Sequence, residues 1–375
     1  MGKHNDREQL ILGGVPRFIV MTAIFVSLVV AYQNCGRFKA SGTSPSSAPD
    51  SARNDRSAPT TAAYEKQNSI LLMERRPAAG TSNGTFSIHS SRPDGTNSIQ
   101  IASDGMSPSW TPDGRVIFVS NSSGSQQIWI ADADGRNARQ VGDLSPETMP
   151  LMPQIGRNGL IVFMGSYEDS EFDGNQGIWV MNEDGSGLKR LTIGMQPFLA
   201  ASGTWLVFTL QTNEPYHRQI WRINTDGTGL QQLTSLGDPD YPDANAPSIS
   251  PDESTVAFFS GKESARLVPG EMPTESIFDW GYRNVAIIPA TGGTRKTLTP
   301  CTPVRSNAEL EASTSSSGKC LAADNPTWSP NGKWLVFDTG FYTGTETWMV
   351  DIEGNQFQRF STQSRGTVRV ALKRR

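Results

Sequence analysis

Apolar and polar positions alternate in short runs along most of the chain, and turn residues interrupt them at regular intervals. The stretch from Asn325 to Thr362, NPTWSPNGKWLVFDTGFYTGTETWMVDIEGNQFQRFST, shows the unit. Aromatic and β-branched runs at Lys333–Phe337, Thr347–Val350 and Gln358–Phe360 alternate with turn signals at Ser-Pro-Asn-Gly and Ile-Glu-Gly-Asn. That pattern predicts consecutive β-hairpins. One four-stranded sheet of this size cannot bury both faces, so the unit needs neighbours like itself.

The neighbours are present. Gly95, Gly135, Gly185, Gly227, Gly292 and Gly354 anchor six copies of a strand–turn–strand unit. Six residues before the anchors stand His89, Trp129, Trp179, Trp221, Ala286 and Trp348. Six residues after them stand Ile101, Val141, Leu191, Leu233, Leu298 and Phe360. An earlier hairpin precedes most copies, with turns at 111–114, 156–159, 200–203, 250–253 and 329–332. Each is followed by a phenylalanine: Phe118, Phe163, Phe208, Phe258 and Phe337. Four strands, A to D, in units of roughly 40–50 residues predict a β-propeller. The expected fold is all-β, with six blades of four antiparallel strands each. The first blade has candidates for B, C and D only, at Ile70–Arg75, Thr85–Ser90 and Ser98–Ala102. The unused strand Thr367–Leu372 at the C-terminal end is expected to supply its inner strand and close the ring. Closure would remove the exposed edges of a linear array.

The N-terminal pattern is different. Phe18–Ala31, FIVMTAIFVSLVVA, is an almost unbroken apolar run behind a polar, slightly basic segment. It has the length of a signal-peptide core and is short of the about 20 residues that span a membrane as a helix. Cys35 follows it in AYQNCG, which resembles the lipobox of bacterial lipoproteins, although Tyr32 and Asn34 depart from that pattern. Cleavage without lipidation, near Ala40, is the competing reading. The segment from Phe38 to Lys66 is rich in Ser, Ala, Pro, Thr and Asp, and has too few apolar residues to offset the entropy of ordering. The chain therefore divides into a signal with lipidation site (1–35), a disordered tether (36–66) and the propeller (67–375).

The strings WTPDGRVIFVSN…IWIADADG and WSPNGKWLVF…TWMVDIEG closely resemble the repeat of the TolB-like (WD40-like) β-propeller family. The resemblance runs from about Gln67 to Leu372. It implies a six-bladed propeller of a kind commonly periplasmic in diderm bacteria. TolB itself carries a folded α/β domain before its propeller; here a polar tether holds that place. The expectation is a member of the repeat family other than TolB.

Charge and candidate chemistry narrow the function classes. A net charge of −4 and a pI near 5.5 leave no electrostatic footprint for nucleic acid. Histidine is limited to His4, His89 and His217, too few for a His-based zinc site. His89 occupies a slot that is Trp in four other blades and reads as a packing residue. The string Gly80-Thr81-Ser82-Asn83-Gly84 fits Gly-x-Ser-x-Gly but joins two expected strands rather than a strand and a helix, so it is not a nucleophile elbow, and no phosphate loop occurs. Acidic residues crowd two loops, Glu168 to Asp173 and Asp238 to Asp243. These could hold calcium, but solvated carboxylates are the plainer reading, and no cofactor is expected. Asp132, Asp134 and Asp184 read as turn formers. Cys301 and Cys320 lie in one long polar insertion, and in an oxidising compartment they are expected to form a disulfide.

Loop lengths point to a functional face. The C-to-D slots are twelve residues apart in every copy, whereas the B-to-C interval runs 11, 16, 13, 28 and 11 residues. In a propeller blade the A–B and C–D turns share one face and the B–C and D–A loops share the other. Binding residues gather on variable loops of a rigid scaffold. The expected binding face comprises Tyr167, Asp169, Asp173, Tyr216, His217, Asp238, Asp240, Tyr241, Asp279, Trp280, Tyr282 and Arg283. The reading is of an exported, lipid-anchored monomer in the periplasm, held at the outer membrane through Cys35. It would bind an envelope protein or small ligand at the loop-rich face and touch the membrane only through its lipid. Two alternatives are a propeller enzyme of lyase or glycosidase type with carboxylates at the central mouth, and a structural accessory of an envelope complex.

Overall fold

The computed structural model describes residues 71–75, 86–92, 97–166, 176–211, 217–235, 243–261, 283–299, 323–339, 346–361 and 371–372. Five blades follow the chain in order. They are β4 (Met106–Trp110), β5 (Val116–Ser120), β6 (Gln127–Ala131) and β7 (Arg139–Gln140); then β8 (Leu151–Ile155), β9 (Leu160–Ser166), β10 (Gln176–Asn182) and β11 (Lys189–Ile193). Next come β12 (Met195–Leu199), β13 (Trp205–Gln211), β14 (Arg218–Asn224) and β15 (Gln231–Gln232). The last two are β16 (Asp243–Ile249), β17 (Thr255–Gly261), β18 (Arg283–Pro289) and β19 (Lys296–Thr297), and β20 (Ala323–Trp328), β21 (Trp334–Thr339), β22 (Glu346–Asp351) and β23 (Phe357–Ser361). Each set forms one four-stranded antiparallel sheet in sequential order. The first three strands, β1 (Leu71–Arg75), β2 (Ser87–Ser91) and β3 (Ile99–Ala102), form a further sheet. Its inner position is taken by β24 (Ala371–Leu372), which pairs antiparallel with β1 through Leu71↔Leu372 and Leu72↔Ala371.

The turns explain why the spacing is constant. In the A–B turns the amide of Gly114, Gly159, Gly203, Glu253 or Gly332 donates to the carbonyl three residues back, at 2.9–3.0 Å. The C–D turns repeat this with Gly135, Gly185, Gly227, Gly292 and Gly354 at 2.8–2.9 Å. The closing residue is left-handed in all ten, which favours glycine. Glu253 adopts it without being glycine, at φ 61°. Its carboxylate accepts hydrogen bonds from Ser202 N (2.7 Å), Ser202 Oγ (2.9 Å) and Trp205 Nε1 (3.0 Å) of the preceding blade, which offset that cost.

The spaced aromatics meet across strands. Phe118 faces Trp129, Phe163 faces Trp179, Phe208 faces Trp221, Phe258 faces Ala286 and Phe337 faces Trp348. All five phenylalanines are buried, and they help to fill the clusters packed between neighbouring sheets. His89 is half-buried, as are the Trp residues in the same slot, and its Nε2 lies 2.9 Å from Ser87 Oγ, so the position also makes a polar contact.

Candidate functional site

The short turns are engaged in holding blades together. Glu183, in the turn after β10, accepts from Arg115 at 2.7 Å and Arg139 at 2.6 Å, both of the preceding blade. Asn158 Nδ2 donates to Gly203 O at 2.9 Å, and Lys296 Nζ reaches Glu353 at 2.7 Å. Exposed ion pairs contribute little energy, so their significance here is geometric: they occupy the turn face. Asp134 accepts from Arg136 N at 3.1 Å and Asp184 from Ser186 N at 2.9 Å, the turn-forming role expected of them. The Arg136 and Ser186 side chains, respectively, hydrogen-bond these carboxyls and keep them below the usual carboxylate range.

Most of the expected binding face lies outside the described residues. Tyr167, Asp169, Asp173, Tyr216, Asp238, Asp240, Tyr241, Asp279, Trp280 and Tyr282 all do, as do Cys35, Cys301 and Cys320. Arg283 opens β18, where its backbone pairs with Gly261. His217 is placed: its Nδ1 lies 3.3 Å from Asp243 Oδ1, which also accepts from Arg218 N at 3.0 Å. Asp243 begins the inner strand of the next blade, so His217 ties two blades together at the base of the variable loops.

The structure adds a site along the inner strands. Pro108, Pro153, Pro197, Pro247 and Pro326 stand six residues before the A–B turn residues Gly114, Gly159, Gly203, Glu253 and Gly332. All five line one cavity of about 130 Å³. A proline can sit here because the inner strand is the edge of its blade and needs no ladder donor on its free side. A register shift falls at this point in all five inner strands. In four of them the preceding residue is left-handed: Ser107 (φ 51°), Met152 (53°), Gln196 (53°) and Ala246 (49°). None is glycine, and such conformations cost of order 1–3 kcal/mol each. Packing and inter-blade bonds hold them in place. Gln154 Nε2 donates to Pro197 O (2.7 Å) while its Oε1 accepts from Leu199 N (2.9 Å). Gln196 Oε1 accepts from Ala246 N at 3.0 Å, and Trp328 Nε1 donates to Ser248 O at 3.2 Å. These prolines and their constant offset from the turn were the sequence signal for this cavity, and strand periodicity passes over them.

Among the described residues lining this cavity there is no Asp, Glu, Lys, Arg or His. Nor, among the described residues, does any group of three or more His, Cys, Asp or Glu stand close enough to hold a metal ion. No described helix is long and apolar enough to cross a membrane.

No family model matches the chain. The Tol-Pal system protein TolB of Anaeromyxobacter dehalogenans strain 2CP-C is 29% identical over 147 residues, 38% of this chain and 32% of that protein. The match thus spans about a third of the length of that curated relative. Among solved structures, TolB from Acinetobacter baumannii superposes with a TM-score of 0.59 at 20% identity, covering 82% of this chain and 67% of that one. A putative TolB from Agrobacterium tumefaciens gives a TM-score of 0.51 at 13% identity, covering 78% and 88%. At those identities the two structures speak to the fold alone. The blade repeat and the strand topology are those of a β-propeller of four-stranded blades, and the chain is similar in sequence to TolB over part of its length and in fold to TolB structures.

Proposed function

We propose that this chain is an exported, lipid-anchored β-propeller that acts as a protein-interaction module of the cell envelope. The observation that carries the reading is the division of labour between its connections. The short turns repeat one bonding pattern and knit the five consecutive blades from β4 to β23 to one another. All large length variation falls on the connections of the other face. A face committed to blade-to-blade contacts has little left for a partner; a variable face on a rigid scaffold does. Tyr167, Tyr216, Tyr241, Trp280, Tyr282 and Arg283 would supply the aromatic and guanidinium anchors that dominate interfaces, set among Asp169, Asp173, Asp238, Asp240 and Asp279.

In this proposal the ring has six blades, closed by the C-terminal strand. The pairing of Leu71 and Leu72 with Leu372 and Ala371 supports that closure. The protein would reside in the periplasm, held at the outer membrane by lipid on Cys35. The apolar run before Cys35 and the Tol-Pal names of the matching relatives support this placement. Mass spectrometry of the mature N-terminus tests the anchor; an unmodified N-terminus downstream of Cys35 would refute it. The Cys301–Cys320 disulfide would restrain its long insertion, and non-reducing peptide mapping tests it.

The enzyme alternative needs carboxylates converging on the axis, with perturbed pKa values. Among the described residues the cavity lining holds no carboxylate, so it lends that alternative no support. Chemical crosslinking of the anchored protein in intact envelopes tests the main reading. It predicts that the crosslinked peptides come from the variable connections; crosslinks confined to the short turns would contradict it.

A further inference from the structure

We propose that the outer edge of β11 is a docking site for an extended, acidic segment of a partner protein, added as a fifth strand to its blade and separate from any capture at the loop-rich face. The outer strands β7, β15 and β19 are two residues long, whereas β11 runs five, Lys189–Ile193. The difference traces to one slot, two residues before the Trp or Ala that faces each buried phenylalanine. Gln127 there exchanges two bonds with Leu144, its Nε2 donating to the carbonyl at 2.7 Å and its Oε1 accepting from the amide at 2.9 Å. Gln219 accepts from Thr234 Oγ1 at 2.7 Å, and Asn284 from Thr299 Oγ1 at 2.9 Å. These buried clasps turn the chain inward after β7, β15 and β19. Gly177 fills the slot in the β8–β11 blade and has no side chain to make a clasp. β11 instead continues its ladder to Gly177↔Ile193 and forms the outer edge of its sheet.

The open edge offers what an added strand needs. Gly194 N donates to Gln176 O at 3.2 Å, so the amide and carbonyl of Ile193, one residue back, point away from β10. That carbonyl takes the Thr192 hydroxyl at 3.2 Å and keeps its second lone pair. Main-chain bonds give strand addition its affinity, and the flanking side chains give it selectivity. Among the described residues the exposed large apolar side chains are Ile99, Leu188, Ile193 and Leu230, all on or beside outer strands. Two of them flank β11, Leu188 at 42% and Ile193 at 50% exposure. Charge fixes the occupant. Lys189 and Arg190 are exposed between those two apolar residues. Asp226, in the next blade's turn, feels Lys189, but its carboxylate is held chiefly by the Thr228 side chain and amide, at 2.7 and 2.8 Å. A segment of apolar residues alternating with carboxylates therefore matches this edge. Two copies of the edge would bring both pairs of cations together, and lysine on an edge commonly guards against such self-pairing.

The test is an amide-shift NMR titration of the mature, folded protein with two capped peptides, one of alternating valine and glutamate and one of alternating valine and lysine. The acidic peptide is expected to shift the Ile193 amide and to bind about fivefold or more tighter than the basic one. Proline fits an edge position whose N–H faces outward, so Ile193→Pro should abolish binding with the blade intact. Lys189→Glu should weaken the acidic peptide severalfold and strengthen the basic one. If Ile193→Pro lowers the melting temperature, the Lys189→Glu reversal decides alone. No shift at Ile193, equal binding of the two peptides, affinity unmoved by the variants, or sedimentation showing a dimer that Ile193→Pro dissociates would each overturn the proposal.

Discussion

Gln154 and Pro197 join two neighbouring inner strands: the Gln154 amide donates to the proline carbonyl at 2.7 Å and takes the Leu199 amide in return at 2.9 Å. This side chain does at the axis what a backbone ladder does inside a blade. A Gln154→Leu variant keeps the volume but leaves both backbone groups without this partner. It should lose about 1–3 kcal/mol in urea unfolding. An unchanged midpoint with unchanged slope would show that the bond is dispensable.

Asp252 gives the turns a defined pH response. The Ser250 hydroxyl donates to its carboxylate at 2.6 Å, with Ser254 N at 3.1 Å, and these bonds hold its pKa below the usual carboxylate range. Because folding depresses the pKa, the contribution is fully present above the unfolded value, near pH 3.9. It is lost as pH falls through the folded value. Asp252→Asn should therefore lower the melting temperature at pH 7, where the contribution is present, and flatten its fall between about pH 5 and pH 2. A steeper acid limb in the variant would reverse the sign and contradict the account.

Most of the blade architecture was legible in the sequence because it rests on short-range rules. The i-to-i+3 turns demand glycine at one place, and the Phe–Trp registers follow from constant turn length. The axial wall was not legible in the same way. Strings such as SPS, MPQ and QPF read as breaks, because proline is excluded from central strands. They are strand residues here only because a register shift and a left-handed residue absorb the proline at a blade edge. His217 illustrates the limit for single residues: it was placed on the loop-rich face, but nothing in the string HRQI announced its contact with Asp243.

The proposed closure of the ring rests on very little described strand. Two residues of β24 pair with β1. Truncation after Arg365 removes them and leaves two unpaired edges, which is predicted to cause aggregation or loss of cooperative unfolding. A truncated protein with the full-length melting profile would show that the first blade holds without a C-terminal partner.

The central claim is that partners are captured on the loop-rich face, and paired variants on the two faces test it most directly. Trp280→Ala with Tyr282→Ala should reduce capture of an envelope partner at least tenfold, with thermal stability nearly unchanged. Asp134→Ala with Asp184→Ala, on the short-turn face, should leave capture intact. Capture abolished by the short-turn pair and untouched by the aromatic pair would contradict the assignment of the face.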